Sequence, residues 1–231
     1  KEFKNSKLIT ILINMLKHDS TTALIAMKII KDLWYLNDDE SILVLYDEEL
    51  IDEVIALLFN DDFADKTLII SALTNCIFTR HEAAEYVIQN EHFVESFNAS
   101  FESIDFALLI SSLKLLICLI FQNCGAPFRG LFDLCMQLIS NSISMTAETA
   151  MRVVFAFFKC DADFALSKPL DALFIGLIGG MDLGYTVSIE YGFQILSIIM
   201  NHCIKKSEKG EEIDYNALKS DKLLSIISCA L

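Results

Sequence analysis

The feature that most constrains this chain is a pattern that returns about every forty residues. Residues 44–54 read VLYDEELIDEV, and forty-three residues later the chain reads VIQNEHFVESF. Val44, Leu45, Tyr46, Asp47, Glu48, Glu49, Leu50 and Ile51 align with Val87, Ile88, Gln89, Asn90, Glu91, His92, Phe93 and Val94. Apolar falls on apolar, Asp on Asn and Glu on Glu. The match marks the same joint in neighbouring units, where a short first helix turns into a second. A later copy is FALSKPLDALF, with Pro169 at the turn, and the last is YNALKSDKLLSII.

Apolar residues recur at helical spacing almost throughout. Leu8, Ile11, Leu12, Met15 and Leu16 form one stripe, and Ala23, Ala26, Ile29, Ile30 and Leu33 with Trp34 or Leu36 the next. Polar breaks separate the stripes at 17–21, 37–41, 60–62 and 140–144. Their Asp, Asn and Ser residues favour turns and helix N-caps. Each cycle ends in a long apolar helix: TALIAMKIIKDLWYL, KTLIISALTNCIF, ALLISSLKLLICLIF, ETAMRVVFAFF and SIEYGFQILSIIM. Equivalent points in these helices fall near 35, 75, 119, 156 and 195, a period of about 40. Two prolines and eight glycines suit long helices rather than many hairpins.

These observations predict an all-α fold, a right-handed superhelical solenoid of about five armadillo repeats with three helices each. The expected repeats are 1–36, 37–79, 80–122, 123–159 and 160–204, with a partial repeat at 205–231, in a single domain. One unit cannot cover its own apolar face, so neighbours stack to bury it. Neither end carries a polar cap, and the expectation is a piece of a longer array.

Stacking also accounts for the composition. The chain is 54% hydrophobic with a mean hydropathy of +0.46. Its longest apolar stretch, residues 107–121, contains Lys114 and two serines. That is shorter than the ~20 residues of a spanning helix, so a buried helix is expected, and no membrane partner. Seven cysteines, an odd number without a CxxC pair, are expected as reduced core thiols. The net charge of −14 leaves no basic face for nucleic acid beyond Lys205–Lys206. It suits basic partners, or simply solubility. No phosphate loop, GxSxG or metal-ligand spacing is present, so neither catalysis nor a cofactor is expected.

The chain resembles the later repeats of importin-α (karyopherin-α), the adaptor that carries proteins with basic nuclear localisation signals. KDLWYLNDDES is similar to that family's Leu-Ser-Tyr-Leu-Ser-Asp repeat ending, and SALTNCIFT to its following long helix. The order at the tail is also similar: the helix SIEYGFQILSIIMNHCIKK, the polar loop SEKGEEID and then YNALKSDKLLSI. The resemblance can be traced over most of residues 8–227. It implies a cytoplasmic and nuclear protein whose partners are localisation signals and transport receptors. In that family Trp and Asn residues, four apart on each long helix, line a concave peptide groove.

Here the Asn positions hold Tyr35, Asn75, Leu119, Ala156 and Ile195, and the Trp positions hold Lys31, Ser71, Leu115, Arg152 and Tyr191. Only Asn75 keeps the amide and only Tyr191 an aromatic ring. Lys31 and Arg152 would repel a basic signal. The candidate peptide-binding residues are therefore Asn75, Ser71, Tyr191, Trp34, Tyr35 and Asp32. Asn75 would clamp a peptide backbone, its alternative being a polar residue facing solvent or capping a neighbouring helix. Tyr191 would be a groove platform, its alternative a core aromatic. Trp34 and Tyr35 with Asp32 would receive a cationic side chain, and the alternative for Trp34 is a ring packed between repeats.

A second reading is a formin-type armadillo scaffold binding a small GTPase or an apolar helix. It would use Leu115, Leu119, Phe157 and Ile195, provided they face the groove. The acidic run Asp47, Glu48, Glu49, Asp52 and Glu53 is expected on a solvated outer face, and SEKGEE at 207–212 as a mobile loop.

Overall fold

The computed structural model describes residues 2–35, 46–78, 80–102, 105–140 and 143–210. The described residues hold twelve α-helices and no strand. They are α1 (Glu2–Leu16), α2 (Ser20–Tyr35), α3 (Glu48–Ala56), α4 (Lys66–Phe78), α5 (His81–Gln89), α6 (Glu91–Ser100), α7 (Phe106–Phe121), α8 (Phe132–Leu138), α9 (Ser144–Cys160), α10 (Ala162–Leu166), α11 (Leu170–Asp182) and α12 (Thr186–Glu208). None of them is long and apolar enough to cross a membrane. The chain divides into two compact units, Lys1–Pro127 and Phe128–Leu231, and the division falls inside the 3₁₀ turn Ala126–Leu131.

The repeated joint is visible as chemistry. Asp47 caps α3 by accepting a hydrogen bond from the Leu50 amide at 3.0 Å. Asn90, its partner in the alignment, caps α6 through the Phe93 amide at the same 3.0 Å. Each fills one of the orphan donors of a helix start, which is why Asp and Asn are interchangeable here. Leu50, Ile51 and Val54 are then buried in one copy, and Phe93 and Phe97 in the other. At the third copy Pro169 holds the cap position of α11 without a side-chain bond. Asp19 serves α2 similarly, accepting from the Thr21 and Thr22 amides at 2.9 and 3.0 Å. Bonds from the Thr22 hydroxyl and amide, and from His18, hold its carboxyl well below the usual carboxylate range. The break at 37–41, residues 44–45 of the first joint, and the joint at 215–227 lie outside the described residues.

In the first unit the long helices pack in succession, α2 on α4 and α4 on α7. Two side-chain amides fix their direction. Asn75 Nδ2 donates to the Lys31 carbonyl at 3.0 Å, and Gln122 Nε2 donates to the carbonyls of Ile77 and Phe78 at 3.2 and 3.1 Å. Both bonds join late residues of one long helix to late residues of the preceding one, so α2, α4 and α7 run parallel with their C-terminal ends adjacent. The short helices form their own succession: Lys17 pairs with Glu53 at 2.8 Å, and the Tyr86 hydroxyl donates to Asp52 at 2.8 Å. The acidic run is thus partly spent on packing, while Glu48 and Glu49 stay exposed. Phe93, Phe97 and Phe101 follow one another along α6, with ring centroids 5.4 and 5.3 Å apart.

In the second unit α9 packs on α8, α10 and α12, and α11 packs on α8 and α12. Its core is phenylalanine-rich. Phe132 is fully buried and meets Phe157 and Phe164, each at 5.6 Å. α11 approaches its neighbours through glycines. A Cβ on Gly180 would stand 1.9 Å from Ile139 Cγ2, and one on Gly192 of α12 would stand 2.6 Å from Met181 Sδ. α12 runs on through Ser207 and Glu208, so the first part of the predicted SEKGEE loop is helical, with Lys205 and Lys206 in the last turn of the helix. Cations there favour the negative end of the helix dipole, which explains the extension.

Candidate protein-binding surfaces

Five of the six residues singled out by sequence lie in the first unit, and Tyr191 lies in the second. Trp34 is 8% exposed and belongs to the core, the packed-ring alternative. Tyr35, the next residue, is 72% exposed, and Asp32 is exposed one turn earlier. The Asp32 carboxylate lies 3.7 Å from the Lys31 ammonium, so it is partly neutralised toward any cationic ligand. Asn75 and Ser71 are half-buried on α4, and the Asn75 amide is engaged with α2. Asn75 therefore acts first as a bridge between helices.

Sequence reasoning passed over Phe78 and Phe121. Tyr35, Phe78 and Phe121 are the last residues of α2, α4 and α7, spaced 43 residues apart. They are 72%, 67% and 50% exposed. The parallel packing brings these three helix ends to one edge of the first unit. Scattered surface apolar residues need no explanation, but a large exposed ring at the end of each of three successively packed long helices does. The signal was in the sequence, as an aromatic residue every 43 positions at the end of a long apolar helix.

The apolar groove reading loses its residues. Leu115, Leu119, Phe157 and Ile195 are all 0% exposed. The packing of α7 against α4 and α6, and of α9 against α8 and α12, leaves no solvent at those positions.

In the second unit Tyr191 is half-buried and packs on Phe155 with ring centroids 4.8 Å apart. The Arg152 guanidinium stands 5.8 Å from the Tyr191 ring and the Lys159 ammonium 5.6 Å from the Phe155 ring. α9 thus carries two exposed cations, one over the half-buried Tyr191 and one over the buried Phe155. A separate set of contacts acts as a lock. Arg129 is bidentate to Asp161 at 2.7 and 2.8 Å, and Lys168 reaches both Asp133 oxygens at 3.0 and 2.9 Å. Both cations also stand over the Phe164 ring, at 5.1 and 5.2 Å. With every charge paired, this cluster ties α8 to α10 and the turn after it.

The chemistry elsewhere is structural. A cavity of ≈ 260 Å³ in the first unit is lined by Ser20, Leu24, Asp62, Phe63 and Asp65 among others. Asp65 there caps α4 through the Leu68 amide at 2.9 Å. Beside it, Lys66 Nζ donates to the carbonyls of Leu57, Leu58 and Asn60 at 2.8, 2.8 and 2.7 Å, closing the end of α3. Among the described residues no group of His, Cys, Asp and Glu side chains is placed to hold a metal ion. Cys76, Cys118, Cys124, Cys135 and Cys203 are buried and unbridged, while Cys160 is exposed. Burial pushes the Cys76 and Cys135 thiols up to about 12 and Cys118 up to about 11, so they stay protonated at neutral pH.

These helices and surfaces define an all-α protein. No protein-family model matches the chain, and no curated protein matches it. Among solved structures it is similar to the crystal structure of an engineered protein, at a TM-score of 0.58 and 16% identity over 83% of this chain and 98% of that one. A second engineered protein aligns at a TM-score of 0.47 and 13% identity over 90% of this chain and 92% of that one. At such identity the first likeness is one of fold alone.

Proposed function

We propose that this chain is a non-enzymatic protein-binding module of the armadillo type, a divergent importin-α-like adaptor whose ligands are cargo segments or transport receptors. The exposed row Tyr35, Phe78 and Phe121 carries this reading. Exposed rings repeated at one edge offer a partner apolar contact at regular intervals, with little side-chain entropy to lose on binding. The succession α2, α4, α7 supports the repeat architecture, and the resemblance in sequence supports the adaptor role. Importin-like recognition of a basic signal would fall to Tyr35 and Asp32, the exposed members of the candidate set.

The test is a titration of a fluorescent bipartite basic peptide against the chain at low and moderate salt. Saturable, salt-sensitive binding at micromolar concentration, weakened about tenfold or more by Tyr35→Ala with Asp32→Asn, is the expected result. Binding that ignores both substitutions would remove the signal site from this edge. The scaffold reading keeps one supporting observation, the apolar character of the same row. An amphipathic helical peptide that competes where the basic peptide does not bind would favour it.

A further inference from the structure

We propose that the exposed rings of Tyr35, Phe78 and Phe121 are a docking site for a polyproline II segment of a partner protein, with a proline at every third position and one proline per ring. The inference rests on the protein-binding reading and names the ligand class of the aromatic row.

The three rings leave their helices in one direction. Tyr35, Phe78 and Phe121 follow one another at 43-residue intervals, and so do the buried residues that fix the rotation of each helix. Ile30, Leu73 and Leu116 are buried in α2, α4 and α7, and so are Trp34, Ile77 and Ile120, the residue before each ring. With the inward face in the same register three times, the next residue stands about 100° further round each helix. The amide bonds from Asn75 and Gln122 keep the three C-terminal ends adjacent. The rings thus form a row that crosses the helices, one per helix, and helix packing sets neighbours about 8–10 Å apart.

That spacing selects the backbone of the ligand. A polyproline II helix turns every three residues and rises ~3.1 Å per residue, so every third side chain returns to one face after ~9.3 Å, the interval of the rings. In an extended strand residues two apart advance only ~6.7 Å, and residues three apart point to opposite faces. An α-helix returns to the same face every ~5.4 Å, between one ring and the next. Proline rings suit aromatic faces, and such a segment is ordered before it binds, so little entropy is lost. Charge around the row is mixed: Asp32 is exposed near Tyr35, Lys28 two turns before Tyr35 and Lys114 two turns before Phe121. The rings rather than net charge carry recognition here, which separates this ligand from a basic signal.

The experiment uses the full chain and labelled, uncharged ten-residue peptides of one composition, proline in a Ser/Gln background. One peptide places its three prolines at every third position, a second at every second and a third at every fourth. The every-third peptide should bind at least about tenfold tighter than the other two, with little change between low and moderate salt. Tyr35→Ser with Phe78→Ser and Phe121→Ser should cost about tenfold or more with unchanged circular dichroism, since all three side chains are exposed. Phe78→Ser alone removes the middle contact and should cost about threefold or more. Equal affinity for the three spacings, or every-third binding that survives the triple substitution, would overturn the proposal. The bipartite basic peptide decides what falls with it. If that peptide binds and no proline peptide does, only this proposal is overturned; if none binds, the protein-binding reading falls as well.

Discussion

The two units solve the same packing problem with different materials. The first joins its long helices by aliphatic contacts and side-chain amides, Asn75 to α2 and Gln122 to α4, and each long helix ends in an exposed ring. The second uses phenylalanine clusters around Phe132, close approaches at Gly180 and Gly192, and cations locked over Phe164. The same helical period thus sets where helices lie but not what they show to solvent. One unit ends its long helices in exposed rings, and the other carries the exposed cations Arg152 and Lys159 over the half-buried Tyr191 and the buried Phe155.

Substitutions that break this contrast are ordered by size. Phe132→Ala removes the hub of the second unit's ring cluster and should cost about 3–5 kcal/mol in urea unfolding. Gly180→Ala forces a Cβ onto Ile139, a branched buried neighbour with little room to move, and should cost about 1–3 kcal/mol. A neutral result there would show that α11 can shift away from α8. Asp47→Ala and Asn90→Ala remove equivalent caps in the first unit and should each cost about 1 kcal/mol, with costs that add in the double variant. A cost for one and none for the other would undo the equivalence of the two joints.

Replacing Tyr35, Phe78 and Phe121 together by Ser should change stability by less than ~0.5 kcal/mol per site and appear instead as lost partner binding. A large loss of stability would mean that the rings pack rather than dock.

A separate effect, outside the order of the substitutions, is alkaline. The Cys76 and Cys135 thiols, one in each unit, rise from 9.0 to about 12 through burial. Below pH 9 both folded and unfolded chains keep these protons, so the contribution is complete. Between pH 9 and 12 the unfolded chain binds fewer protons and stability falls. Native thiol labelling at pH 8 should mark Cys160 and leave the five buried thiols silent until the chain unfolds.

Much of the helix layout was legible because it depends on local chemistry. The repeated joint placed the starts of α3 and α6, and period-3.6 stripes placed the five long helices. The site was less legible. Trp34 and Tyr35 are neighbours of similar character, and only the packing of α2 puts one in the core and the other in water. Leu119, Ala156 and Ile195 were aligned with groove positions by spacing, but a helix face that is open in one array is closed here by α4, α6, α8 and α12. Asn75 could have faced a ligand or a helix, and the Lys31 carbonyl decided it.

The sequence alone therefore determined the helices, their caps and their period, because these follow from backbone hydrogen bonding and apolar spacing within a few residues. Only the tertiary structure decided which faces are covered and which charges meet. Burial and pairing depend on residues thirty to forty-five positions away, such as Tyr191 beneath Arg152 and Asp161 against Arg129, and no local pattern encodes which of these distant groups will meet.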